Sequence, residues 1–369
     1  MLTAPHPAHA AGMASLADVG VKEFLVKDPR EWIRLSLPTS SKIVLGEESK
    51  GDLGRQIQDS VELARLRLEQ VGFSSPAIYS KATQDAAAAQ AMVQKSGDAL
   101  IAAAIDKAKA AALKDKLVPT LDSLVDAMKN RDIVSTLEQQ EKASALLYEL
   151  RATQLPANSL SYEVPEEFRS LPILKGRAVA EMVVESRKGF RVEGSSTKVP
   201  IAVFELTLDG YHSPLTAGNF VDLVSRKYYD GSPVDKAEQL IVQIGLAGRS
   251  DVPKRTIPLE LFYRNDKMPV YGISADDDNR ASDALALPFQ ATGAIGMARD
   301  NEDADSASSQ LFFLKYNQAL NPPGRNTIDG FYSCFGYITS PNEALLDQIQ
   351  LGDKIVSIKM VSGMENFNK

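Results

Sequence analysis

The hydrophobic period of this chain changes once, and that change limits what it can fold into. Before residue 152 apolar residues return every three or four positions, as on a helix face; after residue 174 they alternate or run in short blocks, as in strands. Leu53, Ile57, Val61, Ala64, Leu68 and Val71 form one stripe, with Gly72 where helices end. Pro76 opens an alanine-rich helix to Lys95, and Gly97-Asp98 separates it from a third over 99–116. Pro119 starts a fourth, and Leu137, Leu146, Leu147 and Leu150 mark a fifth. Connectors this short make neighbouring helices antiparallel, so 28–152 reads as a helical bundle. Mutual packing accounts for its apolar faces, and so does a docking surface for a partner.

Residues 153–173 carry Pro156, Pro165 and Pro172 without any period, and read as a stiff linker. Beyond it, Ala178–Glu185, Val199–Leu208, Thr292–Ala298, Gln310–Lys315, Tyr332–Ile338 and Lys354–Val361 have the composition of strands. Ser213, a cap candidate, and Pro214 begin a helix carrying Leu215, Phe220, Leu223 and Val224; Asn342–Gln350 reads as a second capped helix. The fold class expected is α+β: an all-α bundle followed, over 174–369, by a closed antiparallel β-barrel with two capping helices.

Charge and composition remove other classes of function. A net charge of −7 over 369 residues argues against a nucleic-acid partner, which needs clustered Lys and Arg. No apolar run reaches the length of a membrane span, and the single cysteine, Cys334, cannot form an internal disulfide. Residues 1–27 read as a flexible tail; Ala8-His9-Ala10 matches a signal-peptidase pattern without its apolar segment, which fits a truncated precursor or an ordinary tail. Asp28 and Pro29 restart order, with Trp32 as an anchor. The acidic loops at Asp276–Asp278 and Asp300–Asp305 lack the glycine and final glutamate of an EF-hand, and His6, His9 and His212 have no zinc or triad spacing. No metal or cofactor is expected.

Several ordered motifs carry a family resemblance. The helix at Ser213 leads through Tyr228-Tyr229-Asp230-Gly231 to a strand ending Gln243-Ile244-Gly245; Gly293–Ala298 reads GAIGMA, Ser308–Phe313 reads SSQLFF, and Ile328-Asp329-Gly330 precedes Phe335-Gly336. Together they resemble the cyclophilins, prolyl cis/trans isomerases built on a β-barrel. With the helical segment and the YEVPEEFR linker, the chain resembles the large thylakoid-lumen cyclophilins of chloroplasts. That resemblance implies clients with proline-containing or extended segments, among them photosystem II subunits during assembly. Separately, the stiff linker points to packing of the bundle on the barrel, which would cover the groove until a client arrives.

Prolyl isomerisation lowers a torsional barrier of roughly 18–20 kcal/mol without breaking a bond. A donor aimed at the prolyl nitrogen stabilises the twisted amide while an apolar pocket grips the ring. In the family the donor is an arginine eight residues before the strand glutamine. Counting back from Gln243 puts Asp235 there, an acceptor where a donor is needed. By the same resemblance Leu240, Ile241, Gln243, Phe312, Ile328 and Tyr332 line the pocket, Arg299 replaces an asparagine, and Thr327 replaces the tryptophan tied to cyclosporin binding. Lys236 and Arg299 are substitute donors, although strand alternation turns Lys236 to the face opposite Asp235. Two readings stay open: a client-binding assembly factor with weak or absent isomerase activity, and an active isomerase using Lys236 or Arg299.

Overall fold

Helix α6 (Pro214–Ser225) is buried from Pro214 to Val224, and the β-rich part of the chain is built around it. The computed structural model describes residues 26–40, 52–70, 75–252, 254–315 and 328–369. The expectations placed on the tail to residue 25, on Gly72 and on Thr327 lie outside them. Two compact units emerge. One contains the helices up to Leu155; the other contains Pro156–Lys369 together with the segment beginning at Val26.

In the helical unit, four helices replace the expected five among the described residues: α2 (Leu53–Gln70), α3 (Pro76–Ala102), α4 (Lys107–Lys129) and α5 (Ile133–Ala152). Gly97 does not break α3. It is buried against the aliphatic stem of Lys114, where α3 and α4 approach closely. Pro119 does not start a helix either; it lies inside α4, flanked by Leu117 and Leu121, both fully buried. Packing on both sides carries the helix through the missing donor, overriding the local propensity. Ile57, Val61, Leu121, Leu124 and Leu147 fill the core, and Ala82, Ala86 and Ala89 let the backbones come close. Fully buried Glu62 accepts hydrogen bonds from Gln58 (2.6 Å), Gln140 (3.0 Å) and the Ser144 hydroxyl.

The second unit is a curled antiparallel sheet. Its strands are β2 (Arg177–Arg191), β3 (Lys198–Asp209), β4 (Val234–Ala237), β5 (Ile241–Ile244), β8 (Ala294–Met297), β9 (Leu311–Leu314), β10 (Cys334–Ile338) and β11 (Lys354–Ser362). Their order is β11-β2-β3-β10-β8-β9-β5-β4. Short pairs β1–β12 (Ile173–Leu174, Phe367–Asn368) and β6–β7 (Glu260–Leu261, Val270–Tyr271) lie outside it. The two ends of the sheet meet where Pro233, ahead of β4, bridges Lys354 at the head of β11, and the barrel closes there through backbone hydrogen bonds between 231–234 and 352–355. Inward residues alternate along β2 and β3 as the pattern predicts, and Phe204, Phe220, Phe313 and Phe335 fill the interior.

Three expectations change here. The second capping helix is a 3-10 turn, Glu343–Gln348, with no side-chain cap. The expected linker is not a bare connector: Leu160, Val164, Phe168 and Leu171 pack with Ile173 and Leu215 in the β unit. And helix α1 (Pro29–Ser36), expected with the bundle, belongs to the β unit. Asp28 caps it as predicted (2.9 Å to the Arg30 amide), and Trp32 is buried, donating to Val26 O at 3.2 Å. Its last residue, Ser36, accepts from Arg177 (2.9 Å), which also pairs with buried Asp209 at 2.7 Å.

Ser213 does not cap α6; its hydroxyl donates to Cys334 O. The cap comes from Glu260 on β6, which accepts from the Leu215 amide (3.2 Å), the Thr216 amide (3.0 Å) and the Thr216 hydroxyl (2.9 Å). Burial raises the Glu260 carboxyl to about 7 against the pull of those donors. The folded chain therefore holds this proton more tightly than the unfolded chain. The resulting stabilisation is complete below the ordinary value of 4.5 and is lost as pH rises through about 7. Thermal melts at pH 5 and pH 8 should show Glu260→Gln less sensitive to this rise than the parent chain. The gap corresponds to about 2–3 kcal/mol; equal pH sensitivity would contradict the assignment.

Candidate active site

Strand β9 builds the floor of the candidate site. Phe312 pairs with Gln243 on β5 to one side and with Gly296 on β8 to the other. Its ring stacks on Phe289 (centroids 5.5 Å) and meets Tyr332 edge-on (5.2 Å). A Cβ on residue 296 would stand 2.2 Å from the ring, so only glycine leaves room for Phe312 to lie flat across β8. Above this floor opens a cleft of about 720 Å³, lined by Lys236, Ile241, Gln243, Ala298, Arg299, Gln310, Phe312, Ile328 and Tyr332 among others. It is mixed in character, with an aromatic base and a polar rim, as expected for a site that holds an apolar ring and orients the backbone around it.

Ile241, Gln243, Phe312, Ile328 and Tyr332 all line this one cleft. The Gln243 amide donates to Gln310 Oε1 at 2.7 Å, which fixes its orientation at the rim. Gln310 and Ala298 also line the cleft and were missed as site residues, though both lie inside the motifs SSQLFF and GAIGMA. Leu240 does not belong: it lies just ahead of β5, 40% exposed, and is not among the lining residues.

The larger correction concerns the donor position. Val234 pairs with Ile244, but Lys236, not Asp235, pairs with Gln243. One extra residue in β4 makes a β-bulge, and the bulged residue is Asp235. Its carboxylate turns out of the cleft and accepts the Leu246 amide at 2.7 Å. Beyond the bulge the alternation is reset, so Lys236 shares the face of its partner Gln243 and lines the cleft. Strand alternation fails as a guide here because it assumes an unbroken ladder. Among the described residues, no hydrogen bond or ion pair holds the exposed Lys236 ammonium elsewhere. Arg299 lines the cleft too, but its guanidinium is engaged: Nε donates to Phe331 O (2.9 Å), Nη1 to Asp300 O (2.7 Å), and its plane lies 4.0 Å from the Phe331 ring centroid.

Neither acidic loop gathers a metal-binding group among the described residues. Cys334 is buried, which pushes its thiol up to about 12 and keeps it in the protonated form. No described helix is long and apolar enough to cross a membrane.

Known proteins resemble this chain across both units. The family model for cyclophilin type peptidyl-prolyl cis-trans isomerase/CLD matches residues 196–362. A putative thylakoid lumen peptidyl-prolyl cis-trans isomerase of Synechocystis sp., sll0408, is 33% identical over 353 residues, covering 93% of this chain and 84% of that protein. The chloroplastic peptidyl-prolyl cis-trans isomerase CYP38 of Arabidopsis thaliana is 32% identical over 376 residues, covering 98% of this chain and 80% of its own length. Among solved structures, cyclophilin AquaCyp293 from Hirschia baltica aligns with 54% of this chain and 82% of its own, at 15% identity and a TM-score of 0.32. On two relatives above 30% identity that match most of their own length and nearly all of this one, the chain belongs to the cyclophilin-type peptidyl-prolyl cis-trans isomerase family.

Proposed function

We propose that this chain binds proline-containing or extended segments of client polypeptides in the barrel cleft, and that Lys236 gives it a slow prolyl isomerase activity. The observation that carries this reading is the pairing of Lys236 with Gln243, which brings an ammonium to the rim of a cleft floored by Phe312. In the twisted amide the nitrogen lone pair is free to accept. The Lys236 Nζ–H donates to it while Phe312, Phe289 and Tyr332 hold the prolyl ring away from water and Gln243 orients the adjoining backbone.

Turnover is slow for a physical reason. An ammonium on a flexible stem is strongly hydrated and poorly preorganised, whereas a planar guanidinium presents fixed donors. Arg299 is the weaker candidate donor, since two of its nitrogens already serve backbone carbonyls. The name of the Synechocystis relative, a thylakoid lumen isomerase, supports a setting in the thylakoid lumen, and the chloroplastic relative CYP38 agrees with it. There the chain acts as an assembly and maintenance factor for photosystem II, holding lumenal segments of its subunits.

Magnetisation-exchange NMR on an Ala-Pro peptide tests the chemistry. The full chain should accelerate exchange modestly, Lys236→Ala should lose about tenfold or more, and Lys236→Arg should gain. Asp235→Asn, which keeps an acceptor for the Leu246 amide, should leave the rate near the parent's. A Lys236→Ala variant at the parent rate, or a loss in Asp235→Asn as large as that in Lys236→Ala, would refute the assignment. Binding is tested separately. Gly296→Ala overpacks the floor, and the peptide affinity read by chemical-shift titration should fall about tenfold; unchanged affinity would place the client elsewhere.

A further inference from the structure

The barrel's closing seam carries a second hollow, of about 540 Å³, that the isomerase reading does not use. It is lined by Glu185, Ser186, Arg187, Gly231, Pro233, Gly352 and Lys354. Two cations face it from different strands, and neither has an ion-pair partner among the described residues.

Both cations are aimed by the backbone. The β2–β3 register is interrupted between Glu185 and Phe190, so Arg187 escapes the ladder, and its amide donates to fully buried Asp353 at 3.1 Å. Asp353 also accepts from the Gln350 amide (2.9 Å), which fixes the turn before β11. In that turn Gly352 has φ +78, and a Cβ there would stand 3.2 Å from Arg187 Nη2. Glycine keeps the space in which the guanidinium lies. Lys354 begins β11 at the bridge to Pro233. Glu185, the register partner of Lys354, shares the rim and leaves the hollow with one net positive charge.

We propose that this hollow binds a carboxylate of the client, carried about three residues from the proline seated in the cleft. The inference rests on the cleft reading above. Pro233 lines the hollow and Lys236 lines the cleft; both are exposed and three residues apart in the chain, about 10 Å. The flank of β4 at Val234 is taken by the turn before β11, so an extended peptide reaches both by crossing the outer face of β4. The guanidinium receives a carboxylate with paired donors, and the ammonium adds a point charge. An acidic residue near the proline is then a specificity element for a client, and repulsion by Glu185 keeps the preference modest.

Two pairs of capped peptides test this, each with one Ala-Pro bond and either Glu or Gln three residues from the proline, one pair on each side. Affinities come from NMR titration of the full chain, following the Gln243 side-chain amide for the cleft and Arg187 Nε for the seam. In one direction the Glu peptide should bind about three- to fivefold more tightly than its Gln partner and shift Arg187 Nε. That advantage should vanish at high salt and in Arg187→Gln and Lys354→Gln, while the Gln peptide binds as before. Equal affinities in both directions, with Gln243 still shifting, would overturn the seam site and leave the cleft intact. An advantage that survives both substitutions would also overturn it. If no peptide shifts Gln243, the cleft reading fails and the seam site fails with it.

Discussion

One extra residue in a four-residue strand decides which side chain faces the cleft. Without the bulge at Asp235, the pairing of β4 on β5 would continue from Val234–Ile244 and place a carboxylate opposite Gln243. With it, the carboxylate is drawn off to the Leu246 amide and the next residue takes its place. A single side-chain-to-backbone hydrogen bond thus both satisfies Asp235 and holds the register that turns Lys236 inward. Under the proposed reading, Asp235 positions Lys236.

The same device recurs at the seam. There an interrupted β2–β3 ladder frees Arg187, and a buried carboxylate, Asp353, accepts the backbone amide that fixes it. In both places an acidic side chain bonded to backbone stabilises an irregularity, and the irregularity presents a cation at the barrel surface. Glu260 capping α6 is a third instance of acid serving backbone, this time in a buried position that raises its carboxyl to about 7. The many carboxylates of this chain are thus not all solvated surface: several of them shape the barrel.

Much of this was legible in sequence. The strands announced themselves by alternation, as in Ala178–Glu185, and Asp28-Pro29 marked the start of α1. Phe312, Gln243, Ile241, Ile328 and Tyr332 follow from motifs whose order matches the family, and all five line one cleft. What could not be read was register and long-range capping. A bulge is a relation between two strands, so counting eight residues back from Gln243 finds a sequence position and misses the facing one. Glu260 caps a helix that starts 46 residues earlier in the chain, a pairing no local pattern encodes. Pro119 and Gly97 misled for the opposite reason: local signals for breaks were overridden by packing on both sides.

Which side chain at the bulge of β4 reaches the client decides whether Lys236 is the donor. A crystal structure of the full chain with an Ala-Pro peptide in the cleft measures this directly. The ring should lie against Phe312, with Lys236 Nζ about 3 Å from the prolyl nitrogen or its flanking carbonyl and the Asp235 carboxylate still on the Leu246 amide. Lys236 turned to solvent, with the Asp235 side chain in the cleft opposite Gln243, would contradict it.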